Sequence, residues 1–167
     1  MELEQFIAVI KKDEGRASTE EELAEFEQVL GSSLPGDIRE FLKICGGGQI
    51  FETPVKYLDQ CGAEIIPRRM YNLNTIRCAF ENPIDNWAPR ELLPIGLDEG
   101  GNTLMLSLRP DRFGHIYLLD HECIYYPGSD EVPDEIETIE EAEEYRISYY
   151  SPSFGKFIKD TRLVEIT

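Results

Sequence analysis

LLPIGLDEGGNTLMLSLRPDRFGHIYLL, residues 92–119, holds three apolar runs cut by two polar breaks. The runs are Leu92–Leu97, Thr103–Leu108 and Gly114–Leu119. Between them stand Gly100-Gly101-Asn102 and Pro110-Asp111-Arg112, built from residues that suit tight turns. Runs this short with so little chain between them predict antiparallel hairpins, because a parallel return needs a long crossover.

Towards the N-terminus the period changes to that of helices. Leu3, Phe6, Ile7 and Ile10 share one helical face. Thr19 and Glu22 form a capping-box pattern ahead of Leu23, Phe26 and Leu30, and Gly31 ends that helix. Pro35 reads as a first-turn proline for a helix burying Ile38, Phe41 and Leu42, which Gly46-Gly47-Gly48 stops. Gln49–Phe51, Val55–Leu58 and Glu64–Pro67 read as short strands, and 72–80 as a short helix capped by Asn72 or Asn74. Asn82-Pro83 and Ala88-Pro89 make loop around Trp87.

Beyond the hairpins, Cys123–Tyr126 reads as a fourth strand, Thr138–Glu144 as a helical turn and Tyr145–Tyr149 as a further strand. Ser151 and Pro152 look like the cap and first turn of a final helix carrying Phe154, Phe157 and Ile158. The expected fold class is α+β: N-terminal helices packed on a mainly antiparallel meandering sheet, with a C-terminal helix. The 167 residues, 41% of them hydrophobic, suit a single domain spanning 1–167.

Thirty-three acidic residues against sixteen basic ones give a formal net charge of −17. Nine of the acids fall between Asp130 and Glu144. Such a chain is repelled by phosphate and attracted to basic proteins, so nucleic acid is not an expected direct ligand. No apolar run approaches a membrane span, and Met1–Lys12 lacks the pattern of a signal peptide. Cys45, Cys61, Cys78 and Cys123 form no Cys-x-x-Cys pair and read as reduced, mostly buried thiols, with Cys45 at a helix end and Cys78 in an apolar setting, which together point to the cytoplasm.

Catalytic chemistry finds little support. Asp120-His121-Glu122 alternates along a strand, which sends the two carboxylates to one face and the imidazole to the other, so a strand end facing water is the better reading. His115 and His121 are too few for a zinc-finger pattern, and the acids Asp130, Glu131, Asp134 and Glu135 lack calcium-loop spacing. The glycine runs lack phosphate-loop and dinucleotide signatures, and no nucleophile elbow is present. No enzyme, no cofactor and no metal are expected. Tyr125, Tyr126, Tyr145, Tyr149 and Tyr150 flank the acidic stretch; buried rings would brace the sheet and exposed ones would anchor an interface.

Several fragments, in order and spacing, resemble the SUKH superfamily, which includes the yeast cell-wall assembly regulator and many bacterial immunity proteins. They are Leu30-Gly31, Leu34-Pro35 with Asp37, Phe41-Leu42 and the glycines from Gly46. Then come Leu93-Pro94-Ile95-Gly96, Asp98, Gly100-Gly101-Asn102 and Leu104. Gly114, Ile116-Tyr117, Asp120-His121-Glu122, Ser153-Phe154 and Phe157-Ile158 complete the match, while 72–87 and the stretch from Asp130 depart from it. Gly31, Leu34, Pro35, Gly96, Gly101 and Asn102 are expected to serve the fold: Leu34 as a core plug, the glycines for backbone freedom, Asn102 by a left-handed conformation and local hydrogen bonds.

The resemblance implies an immunity protein that binds and neutralises a cognate toxin, often a nuclease. The charge suits such a partner, since a nuclease presents a basic surface. The expected binding face comprises Asp130, Glu131, Asp134, Glu135, Glu137, Glu140, Glu141, Glu143 and Glu144, with Asp98 and Glu99 as neighbours. The rival is a general protein-interaction or regulatory module with no toxin partner.

Overall fold

The computed structural model describes residues 1–11, 16–50, 55–58, 64–82, 91–121 and 147–163. Three helices come first: α1 (Leu3–Ala8), α2 (Glu20–Leu30) and α3 (Gly36–Ile44). Strands β1 (Gly48–Gln49), β2 (Val55–Leu58), β3 (Glu64–Ile65) and β4 (Pro67–Met70) lead to α4 (Leu73–Glu81). Then follow β5 (Leu92–Asp98), β6 (Thr103–Ser107), β7 (Ile116–Leu119), β8 (Ile147–Ser151), α5 (Phe154–Asp160) and β9 (Arg162–Leu163).

The expected hairpins are present. Strands β4 to β8 lie side by side in chain order with β1 at the far edge, every pair antiparallel. A smaller antiparallel sheet has the order β3-β2-β9. The fold is α+β: helices, a six-stranded antiparallel meander and a C-terminal helix.

Alternation divides the meander's faces. Leu93, Ile95, Leu104, Leu106, Ile116 and Leu118 join the main core, with Phe6, Leu23, Phe26, Phe41, Phe154 and Phe157 from the helices. Leu92, Met105 and Tyr117 form a second buried cluster, against which Leu119 and Ile147 pack. Burial of both faces explains why β5, β6 and β7 read as continuous apolar runs and not as a polar–apolar alternation. Pro94 sits in a central strand, normally a forbidden place for a residue without an N–H. It is accommodated where the β5–β6 register shifts, between Pro94 and Gly96.

Helix ends follow the local chemistry. The Thr19 hydroxyl accepts from the Glu22 backbone, the Glu22 carboxylate accepts from the Thr19 backbone, and Gly31 closes α2 at φ 67°. Asn72 caps α4 by accepting from the Thr75 backbone at 2.8 Å. Two cap expectations shift. Pro35 is the residue before α3, with ψ at 139°, and Gly36 begins the helix. Ser151 ends β8, and the cap of α5 is Ser153, whose hydroxyl accepts from the Lys156 backbone at 3.0 Å. Proline favours an extended residue before it, which keeps Ser151 in the strand.

Some strand limits also move. The expected strand at Gln49–Phe51 is observed as Gly48–Gln49, and Glu64–Pro67 divides between β3 and β4, which belong to different sheets. The expected strand at Tyr145–Tyr149 is observed from Ile147 to Ser151. The expected strand at Cys123–Tyr126 and helical turn at Thr138–Glu144 lie outside the described residues.

Candidate interaction surface

One end of the meander carries Asp98, Glu99, Gly101 and Asn102 of the residues that the sequence singled out. Leu97 pairs with Thr103, Thr103 with Leu119, and Leu119 with Ile147. The end of β5, the start of β6, the end of β7 and the start of β8 therefore stand in a row. The chain leaves the described structure after His121 and rejoins it at Ile147, both at this end. The segment between them contains Asp130, Glu131, Asp134, Glu135, Glu137, Glu140, Glu141, Glu143 and Glu144, all outside the described residues.

The β5–β6 turn is built by its own polar side chains. Asp98 accepts from the Asn102 backbone through Oδ1 at 2.8 Å and from Asn102 Nδ2 through Oδ2 at 3.0 Å. Asn102 Oδ1 in turn accepts from the His121 backbone at 3.1 Å and lies 2.9 Å from His121 Nδ1. The positive φ that this turn needs falls on Gly101, at 93°, so Asn102 takes no left-handed conformation and works by hydrogen bonding alone. The His121 ring lies over Gly101, within 4 Å of where a Cβ would sit.

Glu99 is exposed and ion-paired with Arg68 of β4. Its backbone N–H donates to the Ile66 carbonyl at 2.8 Å. Asp98 and Glu99 thus stand at this end of the sheet, each with a carboxylate already engaged inside the chain. Asp120 is half-buried and His121 exposed, as befits a strand end facing water. His115 lies at the other end of β7, so the two histidines do not converge. Among the described residues no group of three His, Cys, Asp or Glu side chains could hold a metal ion.

The other motif residues have internal roles. Leu34 is buried in the main core. A Cβ on Gly96 would stand 2.4 Å from the Arg69 carbonyl oxygen in β4. Asp37 reaches from α3 to the first turn of α5, where its Oδ2 accepts from the Gly155 backbone at 2.7 Å.

The model of the SMI1 / KNR4 family (SUKH-1) matches residues 17–160. The chain belongs to the SUKH-1 family. A relative, the SPbeta prophage-derived uncharacterized protein YokK of Bacillus subtilis (strain 168), is 26% identical over 152 residues, covering 77% of this chain and 76% of that protein. SUKH-1 membership carries the family's range of roles, toxin immunity or regulation through protein contact. Among the described residues no helix is long and apolar enough to cross a membrane.

Two features of this SUKH-1 chain escaped the sequence reading. Glu20 of α2 is held by Arg39 at 2.5 Å and by Lys43 of α3, and hydrogen bonds from those two cations push its carboxyl down to about 2. Part of the N-terminal acidity is thereby neutralised locally. Spacing within one helix cannot show this, because the cations belong to the next. The second feature is a cluster of His115, Tyr117 and Tyr149 rings on the outer face of β7 and β8. Alternation at 115 and 117 was visible in sequence, but the pairing of Tyr117 with Tyr149 was not. Cys78, expected in an apolar setting, is exposed, whereas Cys45 is buried.

Proposed function

We propose that this protein is a cytoplasmic immunity protein of one domain, which binds and neutralises a basic toxin, a nuclease, by docking and without catalysis. The observation that carries the reading is the layout of the sheet end. The segment with nine acids is tethered at both sides to the end that carries Asp98 and Glu99. A chain of net charge −17 raises the encounter rate with a cationic surface, and its carboxylates can stand where phosphates would otherwise bind. SUKH-1 membership supports the same reading.

The test is association with the toxin encoded beside the gene, measured in rising salt. The expected result is an on-rate that falls steeply with ionic strength, and loss of protection when Glu140, Glu141, Glu143 and Glu144 are changed together to Gln. A flat salt dependence, or full protection by the neutralised variant, would remove the acidic segment from the mechanism. A gene neighbourhood without any toxin would favour the regulatory module instead.

A further inference from the structure

We propose that Tyr149, braced by Tyr117 and His115 on the outer face of the sheet, is the seat for an arginine guanidinium of the protein partner. This rests on the reading that the partner is basic. Tyr149 is 46% exposed, while Tyr117 beside it is 7% exposed and belongs to the second buried cluster. The two rings meet nearly edge to face, with centroids 5.7 Å apart and planes at 69°. The His115 ring stands 5.5 Å from Tyr149.

These contacts hold the exposed ring in place, so a partner loses little of its binding to ordering Tyr149. The π-face of tyrosine carries partial negative charge, and it attracts cations, arginine more often than lysine because the planar guanidinium can also stack. Position adds to this. Tyr149 lies two residues into β8 from Ile147, about 7 Å along the strand, on the same face as Ile147 and Tyr117. In sequence Glu143 and Glu144 precede Ile147 with Tyr145 and Arg146 between. A basic partner drawn to the sheet end that carries Asp98 and Glu99 therefore meets this aromatic surface on the neighbouring strands.

The experiment titrates the whole protein with a hexa-arginine and a hexa-lysine peptide at about 0.15 M ionic strength, reading affinity and the Tyr149 ring signals by NMR. Tyr149→Phe keeps the ring face and Tyr149→Leu keeps apolar area without it. The expected result is tighter binding of the arginine peptide, movement of the Tyr149 ring signals, affinity within about two-fold for Phe and about ten-fold weaker for Leu. Thermal unfolding is expected to be unchanged for Phe, which keeps the ring contacts, and lower by about 3 °C for Leu, which loses those with Tyr117 and His115. Binding of both peptides with indifference to Tyr149→Leu would overturn the seat and leave the acidic docking intact. Absence of binding by either peptide would overturn both.

Discussion

Asn102 is the residue on which the sheet end turns, and its side chain allows a prediction at the level of one proton. A carboxylate can only accept, so Asp98 Oδ2, at 3.0 Å, must face the amide nitrogen of Asn102. The amide oxygen then faces His121, 2.9 Å from Nδ1. Neutral His121 must therefore carry its proton on Nδ1 and leave Nε2 as the acceptor. At about pH 9, nitrogen-resolved NMR should find the Nδ1–H tautomer.

Asn102→Ala deletes three of these bonds and spares the one from its own backbone to Asp98. The bond to the carboxylate contributes about 1.5 kcal/mol and the two neutral bonds about 1 kcal/mol each, before allowance for solvent. His121 is exposed and water can replace part of what it loses, so the expected destabilisation is about 2 kcal/mol. With a urea slope of about 2 kcal/mol per molar, the unfolding midpoint should fall by about 1 M. A double-mutant cycle with His121→Ala should return a coupling of about 1 kcal/mol. Additive effects, or an Nε2–H tautomer, would refute the chain of bonds from Asp98 to His121.

Gly48 combines a φ of 142° with a position where a Cβ would stand 2.3 Å from the Lys11 carbonyl oxygen. Gly48→Ala should cost at least about 3 kcal/mol in chemical unfolding, and Gly31→Ala, at φ 67° with open space, only about 1 kcal/mol; equal costs would show that close approach is not the cause. Asp37→Ala removes the bond to Gly155 and should cost about 1–2 kcal/mol, with Asp37→Asn losing about half as much in the same assay. For Glu20, the folded-state value of about 2 lies below the ordinary 4.5. Its stabilising contribution is whole above pH 4.5 and is lost as the pH falls towards about 2, so Glu20→Gln should flatten acid unfolding across that window. An acid-unfolding curve unchanged by that substitution would count against the Arg39 and Lys43 contacts.

The meander was legible because its signals are local: two turns of glycine, asparagine and proline between six-residue runs that are mostly apolar. Helix α2 was legible for the same reason, since its capping box and its closing glycine both lie within the helix or beside it. What sequence hid depends on pairing between distant segments. Glu64–Pro67 looks like one strand, yet Ile65 pairs with Tyr57 and Pro67 with Asp98, in two different sheets. The Arg68–Glu99 ion pair likewise joins residues of separate elements, brought together by the β4–β5 register. At the candidate site, the acids could be counted but their partners could not, because a cation that neutralises a carboxylate need not be near it in sequence.

Several residues that carry the family resemblance are occupied with the chain itself. Gly96 admits the Arg69 carbonyl, Asp37 ties α3 to α5, and Asp98, Asn102 and His121 lock a turn to a strand end. A signature made of such constraints specifies the scaffold and leaves the partner open. Specificity must then come from side chains the scaffold does not consume. Under the function proposed above, these are the acids between β7 and β8 and the exposed ring of Tyr149. Exchange of residues 122–146 between two SUKH-1 proteins should therefore carry partner choice with it, and an exchange that moved stability but left the partner unchanged would place recognition on the scaffold instead.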